Sequence, residues 1–155
     1  MSEKILNAKE KKQFYAKLEE YFGITEKIDC ALSVNLKNKY FLVSNDLSKT
    51  YGEIFTKVMG LYVGEINQYG ELRLSIEGSQ IFGPYATKQV LELSEEDAFA
   101  FMQGKDLEIT QDLPQKYHIL YYVSDGVKHY VGCAKYKEGM LLNFTPKSRR
   151  IATNN

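Results

Sequence analysis

An α+β fold made of two small units packed together is what this sequence predicts, and three observations carry the prediction. Helix-like and strand-like periodicities follow one another along the 155 residues, a Gly78, Gly83-Pro84 interruption divides them into two series, and no proline-, glycine- or serine-rich linker lies between the series. The units are therefore placed at residues 1–83, a small α/β N-terminal domain, and 84–150, with 151–155 as a frayed tail. Hydrophobic residues make up 44% of the chain and aromatics 13%, enough for packed cores and incompatible with a wholly disordered protein.

In the first unit, Asn7 has the side chain to cap a helix running to about Phe22, and Gly23 supplies the positive φ that closes it. Phe14, Leu18, Tyr21 and Phe22 fall on one face of that helix, with lysines and glutamates between them. Cys30 to Leu36 and Tyr40 to Ser44 are rich in strand formers and flank Lys37-Asn38-Lys39, which reads as an antiparallel hairpin. Asp46 or Ser48 then starts a second helix reaching toward Met59. Leu61 to Ile66 is a strand, Tyr69-Gly70 a turn, and Glu71 to Glu77 alternates polar and apolar residues as a half-buried strand does.

In the second unit, Gln89 to Leu93 reads as a strand. Ser94 caps an acidic helix with Asp97 at its third position, Ala98, Phe101 and Met102 form its apolar face, and Gly104 ends it. After Pro114, Tyr117 to Val123 and Val127 to Ala134 are strands joined at Ser124-Asp125-Gly126, a strong hairpin signal. Lys137-Glu138-Gly139 turns the chain into a last strand, Met140 to Phe144.

Net charge is zero, but its distribution is not even. Residues 84–112 carry two cations against seven carboxylates, and residues 113–155 carry seven cations against two. A neutral total thus conceals a basic C-terminal segment able to hold phosphates. Catalytic signals are sparse: there are two histidines, no phosphate-binding glycine loop and no metalloprotease or nucleophile-elbow motif. His129 and Cys133 share a strand face but stand ~13 Å apart along it, too far for a nucleophile pair. His118 and His129 lack a third metal ligand, and Cys30 and Cys133 read as free thiols. The chain is read as non-enzymatic, without cofactor or metal. No apolar run approaches the ~18 residues that span a bilayer, and the start lacks a secretory apolar segment, so a cytoplasmic location is expected. Lys135-Tyr136-Lys137 interleaves an aromatic with two cations, and Lys147-Ser148-Arg149-Arg150 adds three more, a composition suited to nucleic acid.

The order of motifs resembles the Nip-type ribosome-biogenesis factors, which carry an α/β N-terminal domain before a C-terminal PUA domain. The resemblance lies in Tyr40-Phe41-Leu42-Val43-Ser44, Gly60-Leu61-Tyr62-Val63-Gly64-Glu65, Leu72-Arg73-Leu74, Gly83-Pro84-Tyr85-Ala86 and Gly104-Lys105-Asp106-Leu107. The C-terminal stretch is also similar to the PUA-like tail of Sun-type RNA cytosine-C5 methyltransferases, through Val131-Gly132-Cys133-Ala134-Lys135 and Leu142 to Arg150. The resemblance implies a PUA-like mixed β-barrel at 84–150 and binding of ribosomal or transfer RNA. It implies phosphate contacts from Lys135, Lys147, Arg149 and Arg150, with Lys88 and Lys105 at the helix-side edge and the Gly104 turn close to RNA; the interleaved triplet itself adds Tyr136, to contact sugar or base, and Lys137. The expected role is ribosome biogenesis, with the N-terminal domain recruiting a protein partner, an assembly factor or a methyltransferase. An accessory specificity subunit of an RNA methyltransferase is the alternative within the same chemistry. A protein–protein adaptor with a merely solubilising basic end is the alternative outside it.

Overall fold

The computed structural model describes residues 3–50 and 60–152. Strand β1 (Glu3–Ile5) leads into helix α1 (Ala8–Phe22), which begins in a complete capping box. Asn7 Oδ1 accepts from the Glu10 backbone N–H (2.9 Å), and the Glu10 carboxylate accepts in return from the Asn7 N–H (3.0 Å). Gly23, at φ 64°, closes the helix as expected. Strands β2 (Ala31–Asn35) and β3 (Lys39–Val43) form the predicted hairpin. A short helix α2 (Asn45–Thr50) follows, and the remainder of the helix anticipated toward Met59 lies outside the described residues.

Strand β4 (Leu61–Ile66) and strand β5 (Leu72–Leu74) complete an antiparallel sheet ordered β1-β2-β3-β4-β5. The alternating pattern from Glu71 to Glu77 does not continue as a strand. Ser75 turns the chain into helix α3 (Ile76–Phe82), its Oγ accepting from the Gly78 N–H (2.9 Å) and donating to the Tyr62 carbonyl (2.7 Å). A serine that satisfies a helix start and ties it to the neighbouring strand outweighs period-two patterning over so few residues. A 3₁₀ turn, Gly83–Tyr85, follows at the chain's pattern break.

The second sheet runs β6-β8-β9-β10-β7 and curls into a half-barrel. Strand β6 (Val90–Glu92) pairs parallel to β8 (Tyr117–Ser124), and every other neighbour is antiparallel: β9 (Val127–Lys137), β10 (Met140–Asn143) and the short β7 (Leu107–Glu108). Helix α4 (Glu95–Met102) crosses one face, capped by Ser94 Oγ accepting from Asp97 N–H (3.1 Å). The β8–β9 hairpin turns at Asp125-Gly126, both at positive φ. Strands β1 and β7 carry no periodicity long enough to read from sequence and exist because a neighbouring edge pairs them.

Two apolar clusters hold the fold. One joins Phe14, Leu18 and Phe22 of α1 to the first sheet and takes in Ile119 of β8 and Cys133 of β9. The other packs Leu93, Ala98 and Phe101 against Leu120, Ala134, Tyr136 and Leu141. The second sheet is therefore buried on both faces, by α4 on one side and by the N-terminal elements on the other. Each fully buried Leu or Phe contributes roughly 1.5–3 kcal/mol of transfer free energy, so the shared cluster ties the two units firmly together.

Candidate functional site

The predicted basic residues divide into a joined group and several outliers. After β10 the chain leaves the sheet through Phe144, Thr145 and Pro146, makes a 3₁₀ turn at Lys147–Arg149, and passes Arg150 to Ile151. This strap is fastened to the loop that leaves α4. Asn143 Nδ2 donates to the carbonyls of Phe101 (2.7 Å) and Lys105 (3.0 Å), its N–H donates to Asp106 Oδ1 (2.8 Å), and its Oδ1 accepts from Thr145 N–H (2.8 Å). Arg150 Nε donates to the Thr145 carbonyl (3.1 Å), and Ile151 N–H donates to the Met102 carbonyl (2.9 Å). Ile151, expected to fray, is thus anchored.

Gly104 belongs to this arrangement for a steric reason. Its φ is 96°, and a Cβ placed there would strike Cδ and Nε of Arg150. The Arg150 side chain lies across the glycine, which brings the α4 exit and the strap into contact. Lys105 of the loop and Lys147, Arg149 and Arg150 of the strap are exposed, and among the described residues no ion pair engages Lys105, Lys147 or Arg150. Arg149 pairs with Glu77 at the start of α3 (2.5 Å), an interaction that raises the arginine's pKa. Burial pushes the Glu77 carboxyl upward, but the Arg149 hydrogen bond and a backbone hydrogen bond carry it below its ordinary value. Unpaired cations fixed by backbone hydrogen bonds can grip successive phosphates with little further ordering.

The remaining predicted residues stand apart from the strap. Lys135 is half-buried: its Nζ meets Glu71 Oε2 (2.6 Å) and lies 5.0 Å from the Tyr117 ring centroid, so its charge is used in joining the units. Tyr136 is buried at 6% exposure, its hydroxyl donating to the Gln111 carbonyl (3.0 Å) and its ring edge-on to His118. A ring enclosed in this way cannot stack on a base, and this corrects the role that the Lys-Tyr-Lys triplet suggested for it. Strand alternation explains the error, because the two lysines share one face of β9 and the residue between them points to the other, which packs in the core. Lys137 is exposed at the far end of β10 from the strap, and Lys88 is exposed beyond the opposite edge of the sheet, where its N–H donates to the carbonyl of Phe22 (3.3 Å).

The thiols and histidines make no catalytic arrangement with one another. Burial raises Cys133 to about 12, which leaves it inert. His118 is buried with Nε2 on the Pro114 carbonyl (2.9 Å), and burial lowers its pKa, while His129 stacks on Tyr122. Among the described residues no cluster of three or more potential ligands forms a metal site. Asn143, the residue that fastens the strap, was not singled out from sequence. It entered the sequence reading only as part of the Leu142 to Arg150 stretch, with no role of its own.

The family model of the methyltransferase RsmF PUA domain matches residues 88–151, a span that holds α4, the Gly104 loop and the strap. Residues 88–151 are similar to a PUA domain. The crystal structure of a PUA domain from Aeropyrum pernix K1, a tartrate complex, superposes with a TM-score of 0.52 over 86% of this chain and 71% of that one, at 13% identity. That likeness is one of fold, and it extends beyond the PUA domain into the N-terminal unit. A search of curated proteins returns no match.

Proposed function

We propose that this chain is a non-catalytic RNA-binding protein that acts on ribosomal RNA during large-subunit assembly. The observation that carries the reading is the fastened strap, which carries Lys147, Arg149 and Arg150 and meets the α4 exit loop, with its Lys105, at the Gly104–Arg150 contact. Backbone phosphates are the ligand such a surface suits, and unpaired nucleotides are the form of RNA that can follow an irregular protein edge. The PUA match supports RNA as the polyanion, and the fold-level likeness across both units supports a protein organised as the Nip-type factors are. The N-terminal unit would then also meet a protein partner. A cytoplasmic site of action fits this role, and no helix among the described residues is long and apolar enough to cross a membrane.

A second reading has its own support, because the matching family model is that of a methyltransferase PUA domain. In it the chain presents RNA to a separate RNA cytosine-C5 methyltransferase. Affinity purification of the full chain followed by gradient sedimentation distinguishes the two. Co-migration with large-subunit precursor particles supports the assembly role, and a stoichiometric methyltransferase chain free of such particles supports the accessory role. Absence of any associated RNA would remove both.

A further inference from the structure

The strap has an inner side that meets the N-terminal unit. There, a cleft of about 130 Å³ is lined by Phe144 and Arg149 of the strap and by Lys39 of β3, Tyr62 of β4 and Arg73 of β5. Three cations line this cleft, and Glu77 is the carboxylate among its lining residues. Arg73 is paired with Glu65 and Arg149 with Glu77, but each guanidinium offers five N–H donors, so the pairs leave donors unspent. Lys39 has no ion-pair partner among the described residues.

Two of the cations are held by aromatic faces. The Arg73 guanidinium lies 4.8 Å from the Phe144 ring centroid, and Lys39 Nζ lies 5.5 Å from that of Tyr62. Such contacts orient a charge without neutralising it, so the cleft keeps a positive excess that a small anionic group would balance. Arg149 belongs to both places: its side chain is 47% exposed on the strap, and it also lines the cleft. Arg149 is therefore the residue shared by the strap and by the cleft that Arg73 and Lys39 line.

We infer that this cleft is a second phosphate subsite, in which Lys39 and Arg73 of the N-terminal unit receive a backbone phosphate of the RNA strand bound on the strap. The inference rests on the RNA-binding reading and deepens it: the footprint spans both units, and the N-terminal unit contacts RNA itself. A strand must be long enough to reach from the strap to the cleft before the second subsite contributes.

Binding of oligouridylates from about 4 to about 16 nucleotides to the full chain tests this. The proteins to compare are wild type, Lys39→Ala, Lys39→Arg and Lys147→Ala, each checked for an unchanged thermal melt. Lys39 is preferred to Arg73 because the Arg73–Glu65 pair joins β4 to β5. The expected result is that Lys39→Ala weakens the longer oligonucleotides about fivefold and removes about 0.7 from the salt slope. Lys39→Arg restores both quantities, and the shortest oligonucleotide binds wild type and Lys39→Ala alike. If Lys147→Ala weakens binding while Lys39→Ala leaves affinity and slope unchanged at every length, the second subsite is wrong and the RNA-binding strap stands. If wild type binds no oligonucleotide, both fall.

Discussion

Asn143 holds the basic strap in place without carrying any charge itself. Its amide and backbone N–H make bonds to Phe101, Lys105, Asp106 and Thr145, four residues that belong to the α4 exit and to the strap. Asn143→Ala keeps the backbone bond to Asp106 but strands two carbonyls and the Thr145 N–H. The expected cost is about 2 kcal/mol of stability, read from denaturant unfolding, with a weaker RNA complex because the cations lose their fixed spacing. Stability within a few tenths of a kcal/mol of wild type would show that water replaces the amide fully. The residue scale is also where sequence reading was least complete. Lys135 and Tyr136 looked like a cation and an aromatic ready for RNA, yet Glu71 lies about sixty residues away in sequence and captures the lysine, while the second core encloses the tyrosine. Partners brought together by tertiary folding leave no mark in local composition.

At the scale of elements, Ser75 decides where strand becomes helix. It caps α3, donates to the Tyr62 carbonyl, and its own carbonyl accepts from Ser79 Oγ (2.8 Å). Replacing it with alanine removes the cap and the tie to β4, and a loss of about 1–2 kcal/mol is expected. Ser75→Thr, which keeps a hydroxyl, should recover most of that loss in the same unfolding measurement. An alanine variant as stable as wild type would mean that the packing of α3 on β9, rather than the cap, sets the helix start. Elements with a strong local signature were legible in the sequence: α1 through its capping residue and Gly23, α4 through Ser94, and the β8–β9 hairpin through Asp125-Gly126. The strand read into Glu71 to Glu77 was too long because alternation is shared by a strand and by the first turn of a capped helix. Strands β7 and β1, two and three residues long, depend on their neighbours and offer no pattern to detect.

For the whole molecule, the junction between the units matters most. Ile119 and Cys133 lie in the cluster built around α1, and the Lys135–Glu71 pair closes over it. The Lys135 hydrogen bond holds the Glu71 carboxyl below its ordinary 4.5, against the opposing effect of burial. A carboxylate whose folded pKa is depressed stabilises the protein above its unfolded value, and that contribution is lost as pH falls through the lower folded value. Lys135→Met should therefore cost about 1–2 kcal/mol near neutral pH, and the gap from wild type should narrow as pH drops below about 4.5. A gap that stays constant with pH would assign the loss to the ammonium's contact with the Tyr117 ring instead. Because the core is shared, both units should also unfold in one transition, seen as coincident far-ultraviolet and tyrosine-fluorescence curves.

The measurement that bears most directly on the account is RNA affinity as a function of salt, for wild type and for a chain carrying Lys147→Ala, Arg149→Ala and Arg150→Ala together. Three lost phosphate contacts to a single strand predict a salt slope smaller by about 2 and weaker binding at low salt, with the fold retained. An unchanged slope and affinity would contradict the account, because RNA would then be held by a surface other than the strap.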